Sequence, residues 1–141
     1  MNVGDYMNQH LVYLREGDRV DLARRPMADL GLTAVPVLDE EHKPVGVVSL
    51  RDLVDARDGT ATSEPLRTVL ASASIEEAAR VLVAEDLHHL VVVDATGAAV
   101  GMLSSLDVVR ALVRSPPKHP AAIDRLVASV SEDFESEYRS E

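Results

Sequence analysis

Two short strings carry a hydroxyl and a carboxylate at one fixed spacing: Gly46-Val-Val-Ser49-Leu-Arg-Asp52 and Gly101-Met-Leu-Ser104-Ser-Leu-Asp107. An ionised carboxylate is a pure acceptor with room for several donors, and a serine hydroxyl both donates and accepts. A Ser-x-x-Asp arrangement ahead of apolar residues is also a capping box, whose side chains satisfy free N–H groups at the start of a helix. The same residues therefore read in two ways, as helix caps or as polar contacts for a small ligand at a helix start that favours anions. Arg51 adds a cation to the first string, where the second has Leu106.

Other chemistry is sparse. His88 and His89 are adjacent, so in a strand they point to opposite faces and cannot chelate one ion together. His10, His42 and His119 fall at segment ends or in loops without a partner at ligand spacing, and read as surface histidines. No serine stands in a nucleophile elbow, and no glycine-rich loop precedes a Lys-Ser or Lys-Thr pair. Arg24 and Arg25 lie among Asp18, Asp21 and Asp29, which reads as a solvated helix face. The expectation is a protein that is not an enzyme and holds neither a required cofactor nor a metal.

The elements that would position the two strings repeat with them. An offset of 55 residues carries Gly46 onto Gly101, and also Leu11 onto Leu66, Ala23 onto Ala78, Arg25 onto Arg80, Leu32 onto Leu87, Val37 onto Val92 and Asp39 onto Asp94, without a gap. A unit of that length is too small to bury an adequate core alone, so the two copies should pack together. In the second copy Ser74-Ile-Glu-Glu77 is a capping box that starts a helix running to about Leu87. Leu90 to Val93 and Val100 to Leu103 read as a hairpin around Ala95–Ala99, and a further helix runs from Ser104 to about Val113.

The first copy repeats this order: Asp18 as cap, a helix to Leu30, strands Val35–Leu38 and Val45–Val48, and a helix from Ser49 to Arg57. Pro26 lacks a backbone donor and clashes one turn back, which predicts a kink or break there. Short extended segments, Leu11–Leu14 and Leu66–Leu70, lead into each copy, and Asp58–Pro65 links the two. The organisation is thus 1–58, 59–114, and a remainder, 115–141, that opens with Ser-Pro-Pro-Lys-His-Pro120. Beyond it Ile123, Leu126, Val127, Val130 and Phe134 recur at helical spacing and predict an amphipathic C-terminal helix, followed by an acidic tail.

The bulk properties bound the function. Of the 141 residues 46% are hydrophobic but only 3% aromatic, so aliphatic side chains must form the interior and the walls of any pocket. A net charge of −10 argues against nucleic-acid binding, which needs a clustered basic surface. Without a long apolar run or a leader-like start, no membrane association is expected and the cytoplasm is the default location. Zero cysteines exclude disulfides, thiolate metal sites and a cysteine nucleophile.

Taken together, the element order, the duplication and the twin strings resemble a tandem pair of cystathionine-β-synthase (CBS) domains, a Bateman module, over about Asn2 to Val113. Ala34-Val-Pro-Val-Leu-Asp39 resembles the family's strand motif, whereas His89-Leu-Val-Val-Val-Asp94 lacks the proline. The resemblance implies an α/β fold of two β-α-β-β-α repeats about a pseudo-twofold axis. It places Ser49 with Asp52, and Ser104 with Asp107, against the ribose of an adenosine-containing ligand such as AMP, ADP, ATP or S-adenosylmethionine. It nominates Leu11, Val12, Ala34, Val35 and Pro36 for one adenine cleft, and Leu66, Arg67, His89 and Leu90 for the other. Arg51 favours the first cleft for a phosphorylated ligand. A homodimer is implied as well, with the output passing to an effector protein; the alternative is a ligand-free interaction module.

Overall fold

The computed structural model describes residues 1–55, 65–119 and 126–130. Its elements are α1 (Val3–Tyr6), β1 (Leu11–Arg15), a 3-10 turn (Val20–Ala23), α2 (Arg24–Leu30), β2 (Ala34–Leu38), β3 (Pro44–Ser49), α3 (Leu50–Asp55), β4 (Thr68–Leu70), α4 (Ile75–Glu85), β5 (His89–Val93), β6 (Ala99–Ser104), α5 (Ser105–Leu112) and β7 (Val127–Ser129). The strands form two sheets, β3-β2-β1-β7 and β4-β5-β6.

The duplication visible in the sequence is a duplication of backbone. Ala34 pairs with Ser49 and Val35 with Val48 in the first hairpin, as His89 pairs with Ser104 and Leu90 with Leu103 in the second. Each hairpin shifts register at the same place, Val37/Leu38 and Val92/Val93. The intervening turns close alike: Asp39 Oδ1 accepts from the N–H groups of Glu41 and Lys43, and Asp94 Oδ1 from those of Thr96 and Ala98. Those bonds stabilise the ionised form, so the Thr96 hydroxyl first, and then the turn's amides, hold the Asp94 carboxyl below its usual range.

Each sheet buries one face under its own helices. Val12, Leu14, Val35 and Val48 meet Val20, Ala23 and Met27 in the first repeat; Leu90, Val92 and Leu103 meet Ile75, Ala78 and Leu82 in the second. The other faces of the two sheets close on each other. Leu11, Tyr13, Ala34, Leu38 and Val47 share that core with Val91, Val93 and Ala99, and Leu66 packs at its margin. This shared layer supplies the burial that a single 55-residue unit lacks.

The termini are exchanged between the repeats. Val3, Tyr6 and Met7 sit in the core of the second repeat, and the N–H groups of Val3 and Gly4 donate to the carbonyls of Ala73 and Ala71. Conversely, β7 follows the second repeat but runs parallel to β1, with Leu11 opposite Val127 and Tyr13 opposite Ser129. The C-terminal helix expected to include Leu126, Val127 and Val130 is therefore corrected: these residues enter and follow a strand. Ala128 and Val130 are buried under the first repeat while Val127 is 42% exposed, and the β1 edge satisfies their backbone. Ile123, Phe134 and the acidic tail lie outside the described residues, as does most of the Asp58–Pro65 linker.

Two further corrections concern the first repeat. Asp18 does not cap a helix; its carboxylate reaches back to accept from the Arg15 N–H at 2.9 Å, closing the turn after β1. The helix expected to run to Leu30 with a kink or break at Pro26 is divided into the 3-10 turn and α2. Pro26 is the third residue of α2, where a missing donor costs nothing because the first four N–H groups have no intrahelical partner. The break anticipated at the proline falls just upstream of it.

Candidate functional site

Both Ser-x-x-Asp pairs form where a hairpin's second strand turns into a helix. At β6–α5 the Ser104 Oγ accepts from the Asp107 N–H at 3.1 Å, while Asp107 Oδ2 accepts from the Ser104 N–H at 2.9 Å. At β3–α3 the distances are 3.2 Å and 2.8 Å. Both carboxylates are buried, Asp52 being 6% and Asp107 5% exposed. A capping box uses one carboxylate oxygen and leaves the other for a neighbour. In the second repeat that neighbour is Arg110, whose Nη1 lies 3.1 Å from Asp107 Oδ1.

Each pair opens onto a cleft completed by the other repeat. The Ser104–Asp107 cleft, about 300 Å³, is walled by Thr33 and Ala34 just ahead of and within β2, by Asn8 ahead of β1, and by Arg110, Lys118 and His119. The Ser49–Asp52 cleft, about 550 Å³, is walled by Arg51, Pro65, Glu85, Asp86, His88 and His89. Each cleft thus draws on both repeats: Ala34 of the first repeat walls the cleft of Ser104 and Asp107, and His89 of the second reaches the cleft of Ser49 and Asp52 as well as its own. Thr33, His88 and His89 line both clefts, and Thr33 Oγ1 lies 2.8 Å from His89 Nε2, so that hydrogen bond is the wall the two share.

Of the residues nominated from the sequence, Ala34, Ser49, Arg51, Asp52, His89, Ser104 and Asp107 line these clefts. Leu11, Val12, Val35, Pro36, Leu66, Arg67 and Leu90 line neither. Strand alternation sends Val12, Val35 and Leu90 toward the helices and Leu11 into the layer between sheets, at whose margin Leu66 packs from ahead of β4. Pro36 is buried within β2, and Arg67 is drawn off to an ion pair with Glu85. That hydrogen-bonded pair lowers the Glu85 carboxyl's pKa and raises that of Arg67.

Sequence reasoning missed Asn8, Thr33, Arg110, Lys118 and His119. Ser115–His119 reads as a stop after the last helix, yet it folds back: the Tyr6 hydroxyl donates to the Ser115 carbonyl at 3.1 Å and the Ser115 N–H to the Arg110 carbonyl at 2.8 Å. His119, half-buried, is thereby a cleft residue. Burial first, and the Lys118 charge second, push its pKa below the usual 6.5, with Asp107 opposing and His10 and Arg110 adding. A larger hollow of about 710 Å³ near Tyr13, Asp39, Glu40 and Glu41 holds neither Ser-x-x-Asp pair, and its carboxylates would repel an anion. Among the described residues no group of three or more His, Asp or Glu side chains is placed to hold a metal ion, and no helix is long and apolar enough to cross a membrane.

A duplicated α/β unit with paired inter-repeat clefts defines the class of module, and comparison with known proteins gives the family. The CBS-domain profile matches residues 3–59 and 60–114, so the chain belongs to the CBS-domain family as a tandem pair. Among curated relatives, the magnesium transporter MgtE of Thermus thermophilus is 37% identical over 62 residues, 44% of this chain and 14% of that protein. YtoI of Bacillus subtilis, an uncharacterized protein, is 29% identical over 131 residues, 89% of this chain and 29% of that one. The chain thus spans under a third of either relative. Among solved structures, CBSX2 of Arabidopsis thaliana in complex with AMP superposes with a TM-score of 0.64 at 31% identity, covering 80% of this chain and 96% of that one.

Proposed function

We propose that this CBS pair is a regulatory module that binds an adenosine-containing ligand in the clefts between its repeats and reports occupancy by a change in how the repeats pack. The observation that carries this reading is that each cleft is built from both repeats. The Ser–Asp pair of one repeat faces the strand entrance of the other, so a ligand touching both walls ties the repeats together. A ligand shifts a conformational equilibrium only through differential affinity, and a molecule bridging two bodies prefers the arrangement in which both walls are within reach. The family resemblance assigns the ribose to Ser49 with Asp52 and Ser104 with Asp107, and AMP in the related CBSX2 structure supports an adenylate as ligand.

The output surface is apolar. Leu106, Val109, Leu112 and Val113 at the end of the second repeat, and Leu50 and Val54 on α3, are exposed. That surface suits a second copy, as expected of a CBS homodimer, or an effector; light scattering on the chain distinguishes a dimer from a monomer. Thermal melting with adenosine, AMP, ADP, ATP and S-adenosylmethionine tests the ligand. A ligand at 100 times its Kd adds about 2.7 kcal/mol of stability, so a binder raises the melting temperature by several degrees. No shift with any of the five favours the second reading, a ligand-free interaction module, which the use of both aspartates as helix caps makes specific.

A further inference from the structure

The two clefts are alike in their Ser–Asp pairs and opposite in charge. The first sets Arg51 against Asp52, Glu85 and Asp86; the second sets Arg110 and Lys118 against Asp107 alone, with His119 beside them. The 55-residue offset gives the first repeat no counterpart of this basic set in the sequence, where Arg110 aligns with Asp55. We propose that the second cleft is selective for a phosphorylated ligand, and that Arg110, Lys118 and His119 are the residues that read its phosphates. The proposal rests on the adenosine-ligand reading for the rest of the molecule and runs against the preference for the first cleft that Arg51 suggested.

The geometry supplies the means. Arg110 is bound to the outer oxygen of the aspartate assigned to the ribose, at 3.1 Å, with its side chain only 23% exposed. A ribose diol donating to Asp107 takes that oxygen from Arg110 and leaves a guanidinium, with its fork of donors, free inside the cleft. The phosphate that follows the ribose is the acceptor able to satisfy it. Lys118 and His119 are held over the same opening because Ser115 is fastened to Tyr6 and to the end of α5. A nucleoside offers the diol without the phosphate, displaces Arg110 and gives it no new partner. Affinity should therefore climb from adenosine through AMP to ATP, and the cationic sulfonium of S-adenosylmethionine should bind worst among adenosyl compounds.

Isothermal titration of the full chain with adenosine, AMP, ATP and inorganic tripolyphosphate, repeated on Lys118→Ala and His119→Ala, tests this, with the His119 ring resonances followed by NMR. The expected result is ATP binding weakened about tenfold in Lys118→Ala, adenosine binding unchanged, and His119 resonances displaced by ATP and by tripolyphosphate. Equal affinity for adenosine and ATP, or ATP binding indifferent to Lys118→Ala, overturns the proposal and leaves the adenosine reading standing. Tripolyphosphate that displaces His119 while no adenosine compound binds sustains the phosphate site and ends the adenosine reading. Silence from every probe ends both.

Discussion

Asp107 carries two duties that a single substitution can separate. One oxygen caps α5 and the other faces Arg110 and the cleft. Asp107→Asn keeps an acceptor for the Ser104 N–H but loses the charge and one acceptor. It should leave the melting temperature within a few degrees of the parent while weakening AMP binding about tenfold or more, since a hydrogen bond to a charged group contributes about 1.5–3 kcal/mol. Ser104→Ala removes the capping hydroxyl and should cost about 1 kcal/mol in a denaturant titration of the free chain. His119 gives a pH signature. Burial and the Lys118 charge disfavour the protonated imidazole in the free protein, Arg110 and His10 acting the same way against Asp107. A bound phosphate favours the protonated ring, so binding takes up a proton and AMP affinity should rise as pH falls through the ordinary histidine range. Comparison with His119→Asn removes the contribution of the phosphate's own ionisation; an identical slope in both would show that His119 does not sense the ligand. The Ser–Asp pairs were legible because a spacing of three is a local fact. Lys118 and His119 were not, because the bond that ties their segment over the cleft, Tyr6 to Ser115, spans more than a hundred residues.

At the scale of elements, close approach and edge pairing decide what is tolerated. A Cβ at Gly101 would stand 2.6 Å from the Asn8 carbonyl oxygen and 2.9 Å from Met7 Sδ, where the segment before β1 crosses β6. Gly101→Ala should therefore lower stability by about 1–3 kcal/mol and, because Asn8 and Met102 wall the second cleft, weaken ligand there; a parent-like urea midpoint would contradict the close packing. α4 ends on Asp86 in the left-handed region, φ 55°, where the first repeat places Gly31 at φ 66°. Asp86→Gly relieves that conformation and should raise the melting temperature slightly. Ending the chain at His119 strips β7 from β1 and uncovers the sites of Ala128 and Val130, which should cost about 2 kcal/mol. The helices and hairpins were readable from caps and apolar runs, but β7 was not. In Leu126-Val-Ala-Ser-Val130 apolar residues fit a helical stripe as well as a strand, and the deciding partner, β1, lies over a hundred residues away.

At the scale of the molecule, the exchanged termini make the two repeats one body: α1 completes the second repeat and β7 the first. The fold class and the duplication could be read directly, since a gapless offset of 55 fixes two equal units. How the units cross could not, because nothing local tells Ala34, the strand partner of Ser49, that it also walls the cleft of Ser104. That crossing underlies the function proposed here, a ligand clasped by both repeats at once. Titration calorimetry with AMP on the parent chain and on the double variant Asp52→Asn/Asp107→Asn tests it most directly. Saturable binding in the parent that is abolished in a double variant of unchanged fold is the predicted result. Binding that survives in the double variant, or a parent chain that takes up no AMP at any concentration, would contradict it.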